Sequence, residues 1–62
     1  MKYFVESKFY DNGKVEGRMW LEGENPNLDL RPYVEENLCD RYLDVFPTYE
    51  KADAFLRDLK NA

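Results

Sequence analysis

The chain contains no histidine, so the main candidates for chemistry among its side chains are thirteen carboxylates and one thiol. Histidine is the commonest general base, a usual zinc ligand and the partner that activates serine or cysteine nucleophiles. The thiol of Cys39 precedes Asp40, whose negative charge disfavours the reactive thiolate. We therefore expect Cys39 to be a buried structural residue, and the chain to be neither an enzyme nor a cofactor-binding protein.

The carboxylates are concentrated in the middle of the chain, where residues 22–44 contain seven of them against two arginines. The whole chain has a net charge of −4. The spacing of these carboxylates matches no calcium or magnesium loop, so they predict no metal site. A surface of this charge repels duplex DNA and anionic lipid, so we expect neither as a direct partner. The candidate acidic surface consists of Glu22, Glu24, Asp29, Glu35, Glu36, Asp40 and Asp44.

Residues 2–22 predict a β-hairpin, because two segments rich in aromatic and β-branched residues flank the turn formers Asp11-Asn12-Gly13. A two-residue loop would pair Phe9 with Glu16, whereas a three-residue loop closed by a glycine bulge would pair Phe9 with Val15. We prefer the three-residue loop, because it gathers the apolar side chains on one face and pairs opposite charges on the other. The apolar face then consists of Tyr3, Val5, Phe9, Val15, Met19 and Leu21.

The opposite face of this hairpin places Phe4 directly across from Trp20, and Tyr10 extends the row. A short helix could cover the pair, or the pair could remain partly exposed and only stabilise the hairpin. The functional interpretation is a contact surface for a partner, since aromatic residues are enriched at interface cores. Stacking of single-stranded nucleic acid on the same pair is opposed by neighbouring glutamates, which neutralise the adjacent cations.

The remaining chain predicts a connection over residues 23–31, a short helix over about 32–39, a strand over 41–46 and a helix over about 48–60. Proline fits the first turn of the short helix, and Thr48 is a good N-cap for the long one. The long helix presents an apolar stripe wide enough to lie on the apolar hairpin face. In the third strand either Tyr42 and Phe46 or Leu43 and Val45 face the core, and we favour Leu43 and Val45.

These elements predict a single α+β domain over residues 1–62. It is an antiparallel three-stranded sheet in the order ββ-α-β-α, with the C-terminal helix packed on one sheet face. A chain this short buries only about 60% of the surface that its unfolded form exposes. One cysteine allows no internal disulfide, and the first residues contain no apolar run typical of a signal peptide or membrane span. We therefore expect a cytoplasmic protein.

The small size, the missing catalytic set and the aromatic pair favour a non-enzymatic module that acts through protein–protein contact. Its partner would be another protein or a second copy of the chain, with Phe4, Trp20 and Tyr10 as the contact. The alternative is an acidic inhibitor or nucleic-acid mimic of the anti-restriction or anti-CRISPR type, which would use the carboxylates of residues 22–44. Rising salt should weaken a mimic steeply and an apolar interface much less.

Overall fold

A computed structural model, which describes residues 1–61, contains four strands followed by one helix. The strands form a single antiparallel sheet in the order β2-β1-β4-β3. The expected three-stranded sheet with the order ββ-α-β-α is therefore wrong. The elements are β1 (Tyr3–Tyr10), β2 (Val15–Leu21), β3 (Tyr33–Glu35), β4 (Cys39–Phe46) and α1 (Tyr49–Lys60).

The hairpin of β1 and β2 has the register expected for the three-residue loop. Phe9 lies opposite Val15 and Phe4 opposite Trp20. Gly13 has a φ of +90°, a conformation that side-chain-bearing residues rarely adopt, and its amide donates to the carbonyl of Tyr10 at 3.0 Å. The hairpin prediction, including its register, is confirmed.

Residues 32–39 form a strand and a tight turn instead of the expected short helix. The backbone groups of β3 pair with β4, and the amide of Glu36 donates to the carbonyl of Cys39 at 2.9 Å to close the turn. The proline and the adjacent glutamates suited a helix start, but a helix of eight residues has little stability of its own. Pairing with a neighbouring strand satisfies the same backbone groups and also buries part of Val34.

Strand β4 places Tyr42, Asp44 and Phe46 on the helix side of the sheet, which reverses the favoured orientation. Its register with β1 pairs Asp44 with Val5, and paired residues share a face. Leu43 is nevertheless buried, because the segment between β2 and β3 lies over the other side of the sheet. Val45, on that same other side, remains 50% exposed.

Helix α1 packs across β1 and β2, as expected from its apolar stripe. Thr48 caps it by accepting a hydrogen bond from the amide of Lys51 at 3.3 Å. Gly17 lets the helix approach closely, since a Cβ at that position would lie 2.7 Å from Cδ1 of Leu56. The helix contacts β4 little and does not contact β3, so about half of this side of the sheet is left uncovered.

The opposite side of the sheet is held to the β2–β3 connection by Arg41, which is only 1% exposed. Its Nε donates to a carboxylate oxygen of Glu6 at 2.9 Å, Nη1 to the carbonyl of Arg31 at 3.1 Å and Nη2 to the carbonyl of Asp29 at 2.6 Å. A buried charge needs hydrogen-bond partners, and these acceptors engage three of the five N–H donors of the guanidinium, one of them through the opposite charge of Glu6. Arg41 therefore fixes the path of residues 29–31 over the sheet.

Candidate functional site

The uncovered half of the helix side carries three exposed aromatic rings. The rings of Phe9 and Tyr42 meet edge to face with centroids 5.7 Å apart, and those of Tyr33 and Tyr42 lie 5.1 Å apart. Their exposed fractions are 39% for Phe9, 40% for Tyr42 and 47% for Tyr33. The strand register brings them together, because Tyr42 pairs with Tyr33 on one side and with Ser7, two residues from Phe9, on the other.

The same half of the sheet carries three carboxylates and no basic side chain from any strand. Asp40 and Asp44 share the alternation of Tyr42 along β4, and Glu35 pairs with Asp40 from β3. The hydroxyl of Tyr33 donates to Asp40 at 3.0 Å, and this hydrogen bond raises the pKa of Tyr33. We call this surface the aromatic–acidic face, and it consists of Phe9, Tyr33, Glu35, Asp40, Tyr42 and Asp44.

Two carboxylates of the aromatic–acidic face lack any partner within residues 1–61. Neither Asp44 nor Glu35 forms an ion pair or a side-chain hydrogen bond with another described residue. Glu35 and Asp40 lie opposite each other on β3 and β4, where like charges repel one another. Among the described residues, no strand places a basic side chain on this face.

A groove of about 370 Å³ runs between this face and α1. Phe9, Tyr42 and Phe55 supply its aromatic lining, Asp44 supplies a carboxylate, and Ser7 lies at its base. Ser7 is 1% exposed, and its hydroxyl oxygen has no hydrogen-bond partner among the described residues. Its oxygen is out of contact with solvent, so the accessible polar group of the groove is the Asp44 carboxylate.

The other side of the sheet has a different electrostatic character, because its charges are paired. Glu6 is bound by Arg41, and Lys8 lies 3.6 Å from a carboxylate oxygen of Glu36. Glu16 and Arg18 continue this alternation of signs along β2, opposite Lys8 and Glu6. We call this side the loop side, since the β2–β3 connection covers part of it.

The predicted aromatic contact lies on the loop side. Phe4 and Trp20 are both half-buried, and Phe4 lines a concave surface with Leu28 and Leu30 of the connection. Because residues 32–39 form no helix, the alternative in which a short helix covers the pair is wrong, and an irregular segment lies beside Phe4. Hydrogen bonding with the Glu16 carboxylate raises the pKa of Tyr10 to about 12.

The predicted acidic surface is divided by the fold. Four of its seven carboxylates are engaged by groups outside the aromatic–acidic face. Glu22 accepts from the amide of Lys2 at 3.2 Å, Glu24 from that of Leu21 at 2.8 Å, Asp29 is bound by Arg31 and Glu36 lies beside Lys8. Binding by Arg31 holds the pKa of Asp29 well below its usual range. The remaining three are the carboxylates of the aromatic–acidic face: Glu35, Asp40 and Asp44.

Cys39 is buried, as predicted, and its thiol donates to a carboxylate oxygen of Glu36 at 3.3 Å. Burial, with this hydrogen bond, raises the pKa of the thiol and keeps it protonated. Within residues 1–61, no three acidic, cysteine or histidine side chains are close enough together to hold a metal ion. Among the same residues, no helix has the length and apolar character needed to cross a bilayer.

Sequence reasoning missed Phe9 and Tyr42 as exposed residues. The sequence analysis placed Phe9 under the long helix. Comparing the width of one helix with the width of the sheet could have corrected this. A helix is about 10–12 Å wide, whereas strands repeat every 4.8 Å or so, so one helix covers about two strands of any wider sheet. In a four-stranded sheet, one helix therefore leaves part of the sheet surface exposed. The alternation along β4 places Asp40, Tyr42 and Asp44 on that exposed surface.

Comparison of the chain with protein family models, with curated proteins and with solved structures finds no match. The function of the aromatic–acidic face is therefore inferred from its geometry and charge.

Proposed function

We propose that the chain is a non-enzymatic binding module that engages a basic protein surface through the aromatic–acidic face. The observation that carries this proposal is the juxtaposition of exposed aromatic rings with carboxylates that have no cation of their own. Aromatic residues supply large contact area at interface cores, and tyrosine adds a polar group at its rim. Unpaired carboxylates attract a partner of opposite charge and orient it.

A second copy of the chain is a poor occupant of this face. A two-fold contact would place the same patch against itself, so that the carboxylates at positions 35, 40 and 44 of both copies approach one another. Like charges brought together across an interface cost several kcal/mol by order of magnitude. The charge of the face thus favours a different, basic partner over self-association.

An acidic inhibitor or nucleic-acid mimic is the second candidate, and it would use the same three carboxylates to occupy a basic groove. The two candidates differ in what holds the partner. A mimic depends on charge, so its binding should fall steeply with salt, whereas binding centred on Phe9 and Tyr42 should persist at high salt. The local engagement of Glu22, Glu24, Asp29 and Glu36 leaves few carboxylates for a mimic.

Site-specific photo-crosslinking in extracts of the source cells tests the proposal directly. A photoreactive phenylalanine derivative is placed at Tyr42 in one protein and at Val45 in another. The two positions lie on the same strand, have similar exposure and face opposite sides of the sheet. We expect basic proteins to be captured from position 42, and in smaller amount when Asp40→Asn and Asp44→Asn are added, because the aromatic contact remains.

Equal capture from positions 42 and 45, or capture from position 42 that is unchanged in the Asp40→Asn, Asp44→Asn protein, would contradict the proposal. A matched Glu22→Gln, Glu24→Gln protein removes the same charge elsewhere and should capture like the parent. Repeating the crosslinking over a range of salt concentrations separates the aromatic contact from the mimic.

A further inference from the structure

We propose that the groove lined by Ser7, Phe9, Tyr42, Asp44 and Phe55 receives an arginine side chain of the partner. This inference deepens the proposed function and rests on it, since it names the group that enters the aromatic–acidic face. Two independent features of the groove point to a guanidinium group: its aromatic lining and its unpaired carboxylate.

The aromatic lining fits a flat cation. Phe9 and Tyr42 pack edge to face, which leaves ring surface of the pair open toward the groove, and Phe55 lines its helix side. Aromatic ring faces attract cations, and the planar guanidinium can stack on a ring while its edge remains free to donate hydrogen bonds. A lysine ammonium lacks this planar stacking.

The accessible polar group of the groove matches the donors of a guanidinium. The carboxylate of Asp44 has no ion pair within residues 1–61, so it can accept two parallel N–H bonds. A guanidinium carries five N–H donors in a fixed fork, so one edge can bind this carboxylate while its flat faces lie against the rings.

The charge around the groove excludes an anionic occupant and disfavours a neutral one. Asp40 and Glu35 lie on the same face beyond Tyr42, and no strand contributes a basic side chain there. A neutral apolar side chain could lie against the rings but would leave the Asp44 carboxylate without a partner, which costs affinity. The combination therefore selects for positive charge together with a planar apolar surface.

Titration of the isotope-labelled protein with blocked amino acids tests the inference by nuclear magnetic resonance. The probes are N-acetyl-arginine N-methylamide and its citrulline counterpart, which is nearly isosteric but uncharged. We expect the arginine probe to shift the resonances of Ser7, Tyr42 and Asp44. The citrulline probe should bind about tenfold more weakly, the factor that corresponds to losing one charge-assisted hydrogen bond. Equal affinity for the two probes, or arginine shifts confined to other surfaces, would overturn the inference.

Variants assign the binding to the groove. Asp44→Asn should weaken arginine binding by about tenfold, because it removes a charge-assisted hydrogen bond. Glu22→Gln removes a carboxylate outside the aromatic–acidic face and should bind as the parent does. Equal loss in Asp44→Asn and Glu22→Gln would show general electrostatic attraction without a pocket. The amide spectrum of each variant reports whether it remains folded.

The arginine pocket and the partner-binding function can be disproved separately. If the arginine probe leaves the groove unaffected while crosslinking from position 42 still depends on Asp40 and Asp44, the arginine pocket is wrong and the binding face remains. If the probe binds the groove but crosslinking shows no preference for position 42, the pocket exists and the proposed partner-binding function is wrong.

Discussion

The two sides of the sheet use the same kinds of residues in opposite ways. On the loop side, charges are paired with one another and an arginine is buried to hold a chain segment in place. On the helix side, half of the sheet is covered by apolar packing, and the other half displays aromatic rings beside unpaired carboxylates. On the loop side Glu6 and Lys8 have partners of opposite charge, although the indole nitrogen of Trp20 is buried without one among the described residues. On the aromatic–acidic face Glu35 and Asp44 have no such partner within residues 1–61.

Breaking the loop side should have the largest effect on stability. Arg41→Met leaves the Glu6 carboxylate and the carbonyls of Asp29 and Arg31 without their donor, so we expect a loss of about 3–5 kcal/mol in the free energy of unfolding. Arg57→Met provides the control, since it removes an exposed ion pair with Asp53 and should cost about 0.5 kcal/mol or less. Urea unfolding followed by Trp20 fluorescence measures both. Comparable losses in the two variants would refute the structural role assigned to Arg41.

The comparison is sharpened by neutralising one carboxylate on each side of the sheet. Glu6→Gln removes the charge that faces buried Arg41, and we expect it to cost about 1.5–3 kcal/mol of unfolding free energy. Asp44→Asn removes a charge that has no partner among the described residues, so stability should change by less than about 0.5 kcal/mol. Thermal and urea unfolding of the two proteins at neutral pH give the values. A large loss in Asp44→Asn would indicate that this carboxylate has a structural role after all.

Helix packing on β2 supplies a test of the covered part of the helix side. Gly17→Val introduces atoms where Leu56 and Leu59 already lie within 3 Å of a Cβ position, and we expect a loss of about 1–3 kcal/mol from overpacking. Arg18→Val, at the next residue and on the opposite side, adds the same branched side chain at an exposed site. It should change the unfolding free energy by less than about 0.5 kcal/mol. A Gly17→Val protein as stable as the parent would mean that the helix does not pack this closely.

The sequence predicted the parts of the fold that depend on local periodicity. The register of the hairpin followed from the alternation of Val5, Phe9, Val15 and Met19, and α1 followed from its apolar stripe. Residues 32–39 were assigned wrongly because the choice between a short helix and a strand depends on whether a partner strand is present. The orientation of β4 likewise depends on its pairing with β1, which the alternation of its own residues does not determine.

The candidate site was predicted less well than the fold, for a related reason. Phe4 and Trp20 do lie opposite each other, as the hairpin register required. Exposure of Phe9 and Tyr42 depends on how many strands the sheet contains relative to the width of one helix. The burial of Arg41 depends on backbone carbonyls 10 and 12 residues away, in a segment with no periodic pattern. Neither the exposure of Phe9 and Tyr42 nor the burial of Arg41 can be predicted from the residues next to them in the sequence.

The smallest expected effect concerns the pH dependence of stability on the loop side. The pKa of Tyr10 is raised to about 12 by hydrogen bonding with Glu16, above the ordinary value of 10.0. The hydrogen bond between Tyr10 and Glu16 therefore contributes fully to the free energy of unfolding below about pH 10, and this contribution is lost as the pH rises toward 12. Tyr10→Phe and Glu16→Gln should each flatten the decline in unfolding free energy over this interval. If either variant declines as the parent does between these pH values, the Tyr10–Glu16 interaction does not stabilise the fold.

The two sides of the sheet should differ in electrostatic potential, and charged paramagnetic cosolutes measure this difference without any partner. Small nitroxides that are cationic, neutral or anionic are added in turn, and proton relaxation is followed at the ring of Tyr42, the methyl groups of Val45 and the indole of Trp20. The cationic nitroxide should enhance relaxation at Tyr42 well beyond the neutral one, with the anionic one weakest, while Val45 and Trp20 show little dependence on charge. Equal enhancement by all three at Tyr42, or the same charge dependence at Val45, would contradict the account.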